Sequence, residues 1–333
     1  MKPTIAITIG DFNGIGPEVA LKAAALPSVR KMCVPLLVGP LSVFEHVRSS
    51  LKIGPKLRKA VLQWKEHSTI PVLDVGDGLW SDIQYGSVTK AAGRSAGIAI
   101  EKAVELCTGG KVDAMVTAPV SKEALHLAGY NFPGQTEMIA MLSRSQRVAM
   151  MLISKTLRVG LVTIHTPLQL VAGNITKEKI VEKLTILDDS LKRNFNIKAP
   201  RIAVLALNPH AGEQGLLGKE EQETIVPAIA EARNGSMNID GPFAADGFFG
   251  AGTYKSYDAV VAMYHDQGLI PVKMSSFQEA VNFSTGLSII RTSPGHGTAY
   301  DIAGRGKASI SSMVEAITLA VQFVKNAWSS STT

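Results

Sequence analysis

The chain has 333 residues, 46% of them apolar and 19% charged, which allows a large buried core and excludes a disordered body. Its 34 Lys and Arg against 28 Asp and Glu leave a charge of +6. The basic residues are scattered and not interleaved with aromatic ones, so a nucleic-acid stacking surface is excluded. The excess is either plain surface charge or a bias toward small anionic ligands. No apolar run approaches the roughly 18 residues of a membrane span. The opening MKPTIAITIG reads as a strand, too short and β-branched for a signal peptide. Cys33 and Cys107 lack any paired spacing and read as buried thiols of a reducing, cytoplasmic compartment.

In chain order, a strand at 4–9 runs into the loop Gly10-Asp11-Phe12-Asn13-Gly14-Ile15-Gly16-Pro17-Glu18 and a helix over 17–25. Glycines permit a tight turn there, and Pro17 suits a first helical position. The amides of such a helix start can face an anion, yet the loop lacks the dinucleotide fingerprint, and a structural turn explains it equally well. Strands follow at 34–38 and 114–117, with a helix over 95–106 between them. Gly134-Gln135-Thr136-Glu137 opens another helix, as an anion site or as a plain cap.

Next come a strand at 148–153 and three strands that each end near a histidine. His165 follows the strand at 158–164, His210 follows 202–207 after Asn208-Pro209, and His265 follows 259–264, with Asp266 next to it. Helices are predicted over 177–195 and 220–232. Ligands of open α/β sheets gather beyond the carboxyl ends of strands, and imidazoles held there suit a transition metal with positions left open for substrate. The alternative is three unrelated histidines, each hydrogen-bonded at its own strand end. Lys273, Asn282 and Arg291 then recur at nine-residue intervals, as anion contacts or as surface residues. A glycine-rich segment from Arg291 to Gly306 holds His296, Gly297 and Asp301 before a last helix over 311–327. It either approaches a flat phosphorylated ligand closely or simply connects. Strand–helix alternation throughout argues for an α/β fold around a largely parallel sheet.

The segments GDFNGIGPE, TAPVSKEALHLAGYNFPGQTE, NPHAGE, YHDQGLIPVK and RTSPGHGTAYDIAGRGKA together resemble the 4-hydroxythreonine-4-phosphate dehydrogenase family of vitamin B6 biosynthesis. The first and last are also similar to loops of isocitrate and isopropylmalate dehydrogenases. The resemblance covers nearly the whole chain. It implies a two-lobed fold of that dehydrogenase type with a cleft between lobes. Residues 1–125 and 285–333 would form an outer, cofactor-side lobe, and 126–284 a metal-binding, dimerising one.

The resemblance further implies that His165, His210 and His265 bind one divalent metal (Zn, Mg, Co, Mn or Ni), the third histidine coming from the other subunit of a homodimer. Gln135, Thr136, Lys273, Asn282 and Arg291 would contact a small phosphorylated hydroxy acid. His296, Gly297 and Asp301 would lie against NAD or NADP. Asp246 and Asp266 are candidates for proton transfer or for orienting a metal-bound imidazole. The implied reaction is oxidation to a β-keto acid, then loss of carbon dioxide to leave 3-amino-2-oxopropyl phosphate. Two positions depart from the family pattern: Gln135 stands where histidine is usual, and Pro294-Gly295 where Asp precedes the His-Gly-Thr-Ala run. They open the alternatives of 4-phosphothreonate and 4-phosphoerythronate as substrate. A phosphotransacetylase-like acyltransferase and a non-catalytic phosphometabolite-binding protein are the rivals from other classes.

Overall fold

The structure, a computed structural model, describes residues 2–60, 68–76 and 83–330. Its twelve strands are β1 (Thr4–Thr8), β2 (Val34–Val38), β3 (Leu57–Lys59), β4 (Ile70–Leu73), β5 (Ala114–Thr117), β6 (Ala149–Ile153), β7 (Arg158–Leu161), β8 (Arg201–Leu205), β9 (Asn238–Phe243), β10 (Ala259–Ala262), β11 (Val281–Thr285) and β12 (Arg291–Pro294). The chain divides into two compact units, residues 1–146 with 287–333, and residues 147–286. Residues 126–146, expected with the second lobe, belong to the first, where the helix Gln135–Leu142 packs on the helix Lys90–Thr108.

In the first unit the strand order is β3-β4-β2-β1-β5-β12, and every neighbouring pair is parallel. β1, β2 and β5 are almost wholly buried runs (TIAIT, VPLLV, AMVT), the pattern of parallel strands covered on both faces. The chain leaves β1 toward β2 and β4 on one side and returns to β5 on the other. The order therefore reverses between β1 and β5, the switch point where ligands of such sheets bind. The helix Lys90–Thr108 starts at Thr89, whose hydroxyl accepts from the Ala92 amide, a side-chain N-cap. Gly93 on that helix lets it approach the Ala124 backbone so closely that a Cβ would collide with it.

In the second unit the order is β11-β6-β7-β10-β8-β9. β6 pairs antiparallel with both its neighbours, and β7, β10, β8 and β9 run parallel. Val159, Leu161, Ala203, Leu205, Val260 and Ala262 form its core with Phe248 and Val272. A single helix predicted over 220–232 is instead a π-turn, Glu221–Ile225, followed by the α-helix Val226–Asn234. Pro227 has no amide to bond back toward Glu223, so the turn widens there. Among the described residues, no helix is long and apolar enough to cross a membrane.

Candidate functional site

The switch point of the first unit is built from two loops that the sequence had marked separately. Asp11 lies three residues beyond the end of β1 and is fully buried; its amide donates to the Pro119 carbonyl beyond β5 at 2.8 Å. The Asp11 carboxylate accepts from the Tyr300 hydroxyl at 2.7 Å and the Asn13 amide at 2.9 Å. Burial pushes its pKa up, and the hydrogen bonds work against that shift. The Ile15 amide donates to the Thr298 carbonyl at 2.9 Å, and a Cβ on Gly14 would fall 2.7 Å from the same oxygen. Gly14 is thus a close-approach glycine that seats the loop at 10–18 against the one at 296–306.

Arg291, the first residue of β12, is the largest fully buried side chain, at 2% exposure. Its Nε and Nη2 donate to the Thr117 hydroxyl at the end of β5 (3.1 and 2.6 Å), and Nη2 also donates to the Gln135 side-chain oxygen at 3.3 Å. Desolvation lowers its pKa to about 10, opposed by Glu137, so it stays cationic at neutral pH. The guanidinium is a fixed positive charge behind Gln135 rather than an open surface group. Gln135 and Thr136 are half-buried at the start of the helix Gln135–Leu142.

His296 has the environment of a ligand-facing group. Nδ1 lies 3.1 Å from the Gly297 carbonyl, while Nε2 is buried and without a hydrogen-bond partner. Burial lowers its pKa. Gly297 is exposed, with open space where a Cβ would stand. A buried, unpaired ring nitrogen beside open backbone fits a flat polar cofactor that supplies the missing partner. Asp301 is exposed.

In the second unit the three histidine-bearing strands are contiguous, in the order β7-β10-β8. His165 and His265 lie with ring centroids 6.0 Å apart. Two imidazoles on one ion, with metal–nitrogen bonds of about 2.1 Å, stand roughly 5 Å apart, about 1 Å closer than these two rings. His265 Nδ1 is 2.7 Å from Asp266 Oδ1, which leaves Nε2 as the free donor atom, the usual arrangement behind a metal-bound imidazole. Gln267 ties two strand ends together: its oxygen accepts from the Met263 amide at 2.7 Å and its nitrogen donates to the Ala206 carbonyl at 2.6 Å.

His210 is exposed on a left-handed run, with positive φ at His210, Ala211, Gly212, Glu213 and Gln214. Its loop is gripped by the buried Glu221, whose carboxylate accepts from the Leu207 and Asn208 amides (2.9 and 2.8 Å) and from the Asn208 side chain (2.9 Å). Among the described residues, no three His, Cys, Asp or Glu side chains gather into a set able to hold a metal. A single chain therefore does not gather His165, His210 and His265 into one ligand set. Lys273 and Asp246 are exposed, whereas Asn282 is half-buried with its Oδ1 unpartnered. Thr117, Tyr300 and Glu221 were missed. Tyr300 stood in the marked HGTAYD run, but nothing in the acidic stretch 220–223 distinguished Glu221 from its neighbours.

Known proteins are similar to this chain over nearly its full length. A 4-hydroxythreonine-4-phosphate dehydrogenase of Geobacter metallireducens is 46% identical over 329 residues, 97% of this chain and 96% of that protein. A D-threonate 4-phosphate dehydrogenase of Cupriavidus necator is 43% identical, with 95% of each covered. The crystal structure of 4-hydroxythreonine-4-phosphate dehydrogenase from Klebsiella pneumoniae superposes with TM-score 0.86 at 37% identity, over 97% of this chain and 100% of that one. Isocitrate dehydrogenase from Methylococcus capsulatus (TM-score 0.51, 12% identity, 99% and 88% covered) shares the fold alone, which agrees with the α/β architecture expected from the sequence. The family model described as pyridoxal phosphate biosynthetic protein PdxA matches residues 31–320, and the chain belongs to that family.

Proposed function

We propose that the protein is an oxidoreductase that oxidises and decarboxylates 4-phosphohydroxy-L-threonine to 3-amino-2-oxopropyl phosphate, using NAD or NADP and one divalent metal. The observation that carries this reading is the row of three adjacent parallel strands, β7, β10 and β8, each followed within about five residues by a histidine, His165, His265 and His210, in a chain 46% identical to a 4-hydroxythreonine-4-phosphate dehydrogenase.

The three imidazoles would hold the metal, with His265 reaching a site in a second copy of the chain. The helix His265–Ser276 supports such pairing, since Ile270, Met274 and Phe277 leave an exposed apolar stripe immediately after His265, a surface that favours association. When bound, the metal supplies Lewis acidity at the substrate hydroxyl, and the nicotinamide supplies a hydride acceptor. Asp266 fixes the tautomer of His265, and Asp246 or Asp266 takes the hydroxyl proton. Arg291, with Gln135 and Thr136, provides positive charge and hydrogen bonds for an anionic substrate, joined by Lys273 and Asn282. His296, Gly297 and Asp301 flank the cofactor.

A second reading, oxidation of 4-phosphothreonate or 4-phosphoerythronate, is favoured by Gln135, a neutral partner of Arg291 that cannot be protonated, and by the 43% identical D-threonate 4-phosphate dehydrogenase. The test of metal dependence is direct. Protein stripped by a chelator should lose NAD(P) reduction and regain it with added Zn, Co, Mn, Ni or Mg. Full turnover by demonstrably metal-free protein would rule the reading out.

A further inference from the structure

The glycine-rich segment after β12 carries His296, Gly297 and Asp301 and is shaped by the 3-10 turn Tyr300–Ile302, closed by the Ile302 amide on the Ala299 carbonyl at 3.1 Å. Ala299 enters that turn at φ 43°, in the left-handed region, at a cost of about 1–2 kcal/mol for a residue with a Cβ. A strained segment keeps one conformation only where its surroundings hold it there.

We propose that Tyr300 is a positioning residue for the dinucleotide: its hydroxyl, anchored on the buried Asp11 carboxylate, fixes the loop in the conformation that presents His296 and Gly297. This rests on the reading that those two residues flank NAD or NADP. Tyr300 Oη donates to Asp11 Oδ2 at 2.7 Å and accepts from the Ser121 hydroxyl. Ser121 Oγ accepts from the Ala124 amide at 3.1 Å as the cap of the helix Lys122–Leu127, which leaves its proton for the phenol. Burial raises the Tyr300 pKa, and Asp11 adds to the rise against Ser121, so the phenol keeps the proton it donates.

Asp11 is a fixed anchor. It is fully buried, its amide is held by the Pro119 carbonyl at 2.8 Å, and Oδ1 takes the Asn13 amide at 2.9 Å. Gly10 next to it approaches Pro119 so closely that a Cβ would fall 2.4 Å from that carbonyl oxygen. Asn13 is pinned in turn, donating from Nδ2 to the Ser87 carbonyl and the Thr89 hydroxyl, each at 3.0 Å. A hydrogen bond to an ionised, immobile acceptor is strong and demanding in geometry, so it places the phenol, and with it the turn. The ties on either side, from the Ile15 amide to the Thr298 carbonyl at 2.9 Å and from Lys22 to the Gly306 carbonyl at 2.8 Å, reach backbone oxygens. Tyr300 adds the side-chain tie between them. Supporting contacts of this kind are what hold a binding group to within about 0.5 Å of its working place.

Tyr300→Phe keeps the ring and removes the tie. Binding of NADH and of NADPH to the full-length protein is followed by nucleotide fluorescence, and amide exchange over 296–305 by hydrogen–deuterium mass spectrometry without nucleotide. Part of the strength of one charge-assisted hydrogen bond is lost to reordering the loop, so Kd should rise about three- to tenfold, with faster exchange in this segment. KM for the nicotinamide cofactor should rise in step, while KM for the phosphorylated acid stays within about twofold; a purely structural residue would move both or neither. Adding Asp11→Asn to Tyr300→Phe should weaken binding no further, as expected of two residues that act through one contact. An unchanged Kd in Tyr300→Phe, whatever the exchange, overturns the proposal and leaves the cofactor reading intact. So do losses that multiply in the double variant. Wild-type protein that binds neither dinucleotide overturns both.

Discussion

Glu221 is the strongest test of how the His210 loop is held. The loop keeps four non-glycine residues, His210, Ala211, Glu213 and Gln214, at positive φ. At roughly 1–2 kcal/mol each, that is on the order of 4–8 kcal/mol of unfavourable backbone conformation, which something must offset. The buried Glu221 carboxylate supplies three hydrogen bonds to Leu207 and Asn208. In Glu221→Ala the Asn208 side chain keeps Glu220 at 2.7 Å, but the Leu207 and Asn208 amides lose their acceptor. Two unmet donors cost about 1–3 kcal/mol apiece, and relaxation of the strained run returns part of that. The net expectation is a loss of roughly 2–4 kcal/mol in urea unfolding followed by circular dichroism. His210 leaves its place at the same time, so turnover or metal affinity should fall by about 10–100-fold. Glu221→Gln keeps an oxygen for the two amides and should recover most of the stability. Stability within about 0.5 kcal/mol of wild type in Glu221→Ala, with unaltered metal affinity, would refute the reasoning, since surface changes alone stay in that range.

The depressed pKa of His296 means that the folded state prefers the neutral ring. Its contribution to stability is complete above the unfolded value near 6.5 and is lost as pH falls through the lower folded value; urea titrations at several pH values should show a shallower acid slope in His296→Asn. Gly93→Ala should destabilise by about 2 kcal/mol or more, read by thermal unfolding, because the new methyl would meet the Ala124 backbone; an unchanged midpoint would contradict the close packing. Arg291→Gln should raise KM for the phosphorylated acid well above its effect on kcat, and a normal KM would remove Arg291 from anion binding. Mixing His165→Ala with His265→Ala protein should restore about a quarter of wild-type turnover under random pairing of subunits; no recovery after proven exchange would mean that the metal site is not shared.

Much of the sheet was legible from apolar runs. The strands at 34–38 and 114–117 coincide with β2 and β5, and the rest of the predicted strands begin within a residue of an observed one. Five of the described strands were missed, β3, β4, β9, β11 and β12; β9 (Asn238–Phe243, with Gly-Pro inside it) and β12 (Arg291–Pro294, whose first side chain is a buried cation) lack that signal, whereas the short run IPVL of β4 carries it. The complete burial of Arg291 was not visible in the sequence, because the acceptor Thr117 lies 174 positions away on the adjacent strand. The histidines were visible because each follows an apolar strand. That their strands are neighbours depends on β10 inserting between β7 and β8, a topology that no local pattern encodes. Glu221 was illegible for a similar reason: among consecutive acidic residues, only the fold decides which one turns inward.

The claim at the centre of this account is that the protein oxidises a phosphorylated hydroxy acid. Purified, metal-loaded protein incubated with 4-phosphohydroxythreonine, 4-phosphothreonate or 4-phosphoerythronate, each with NAD and with NADP, gives the most direct reading. Reduced nicotinamide together with released carbon dioxide from at least one of these acids is the predicted result. No reduction with any acid–cofactor pair, in protein shown to be folded and to carry metal, would contradict it.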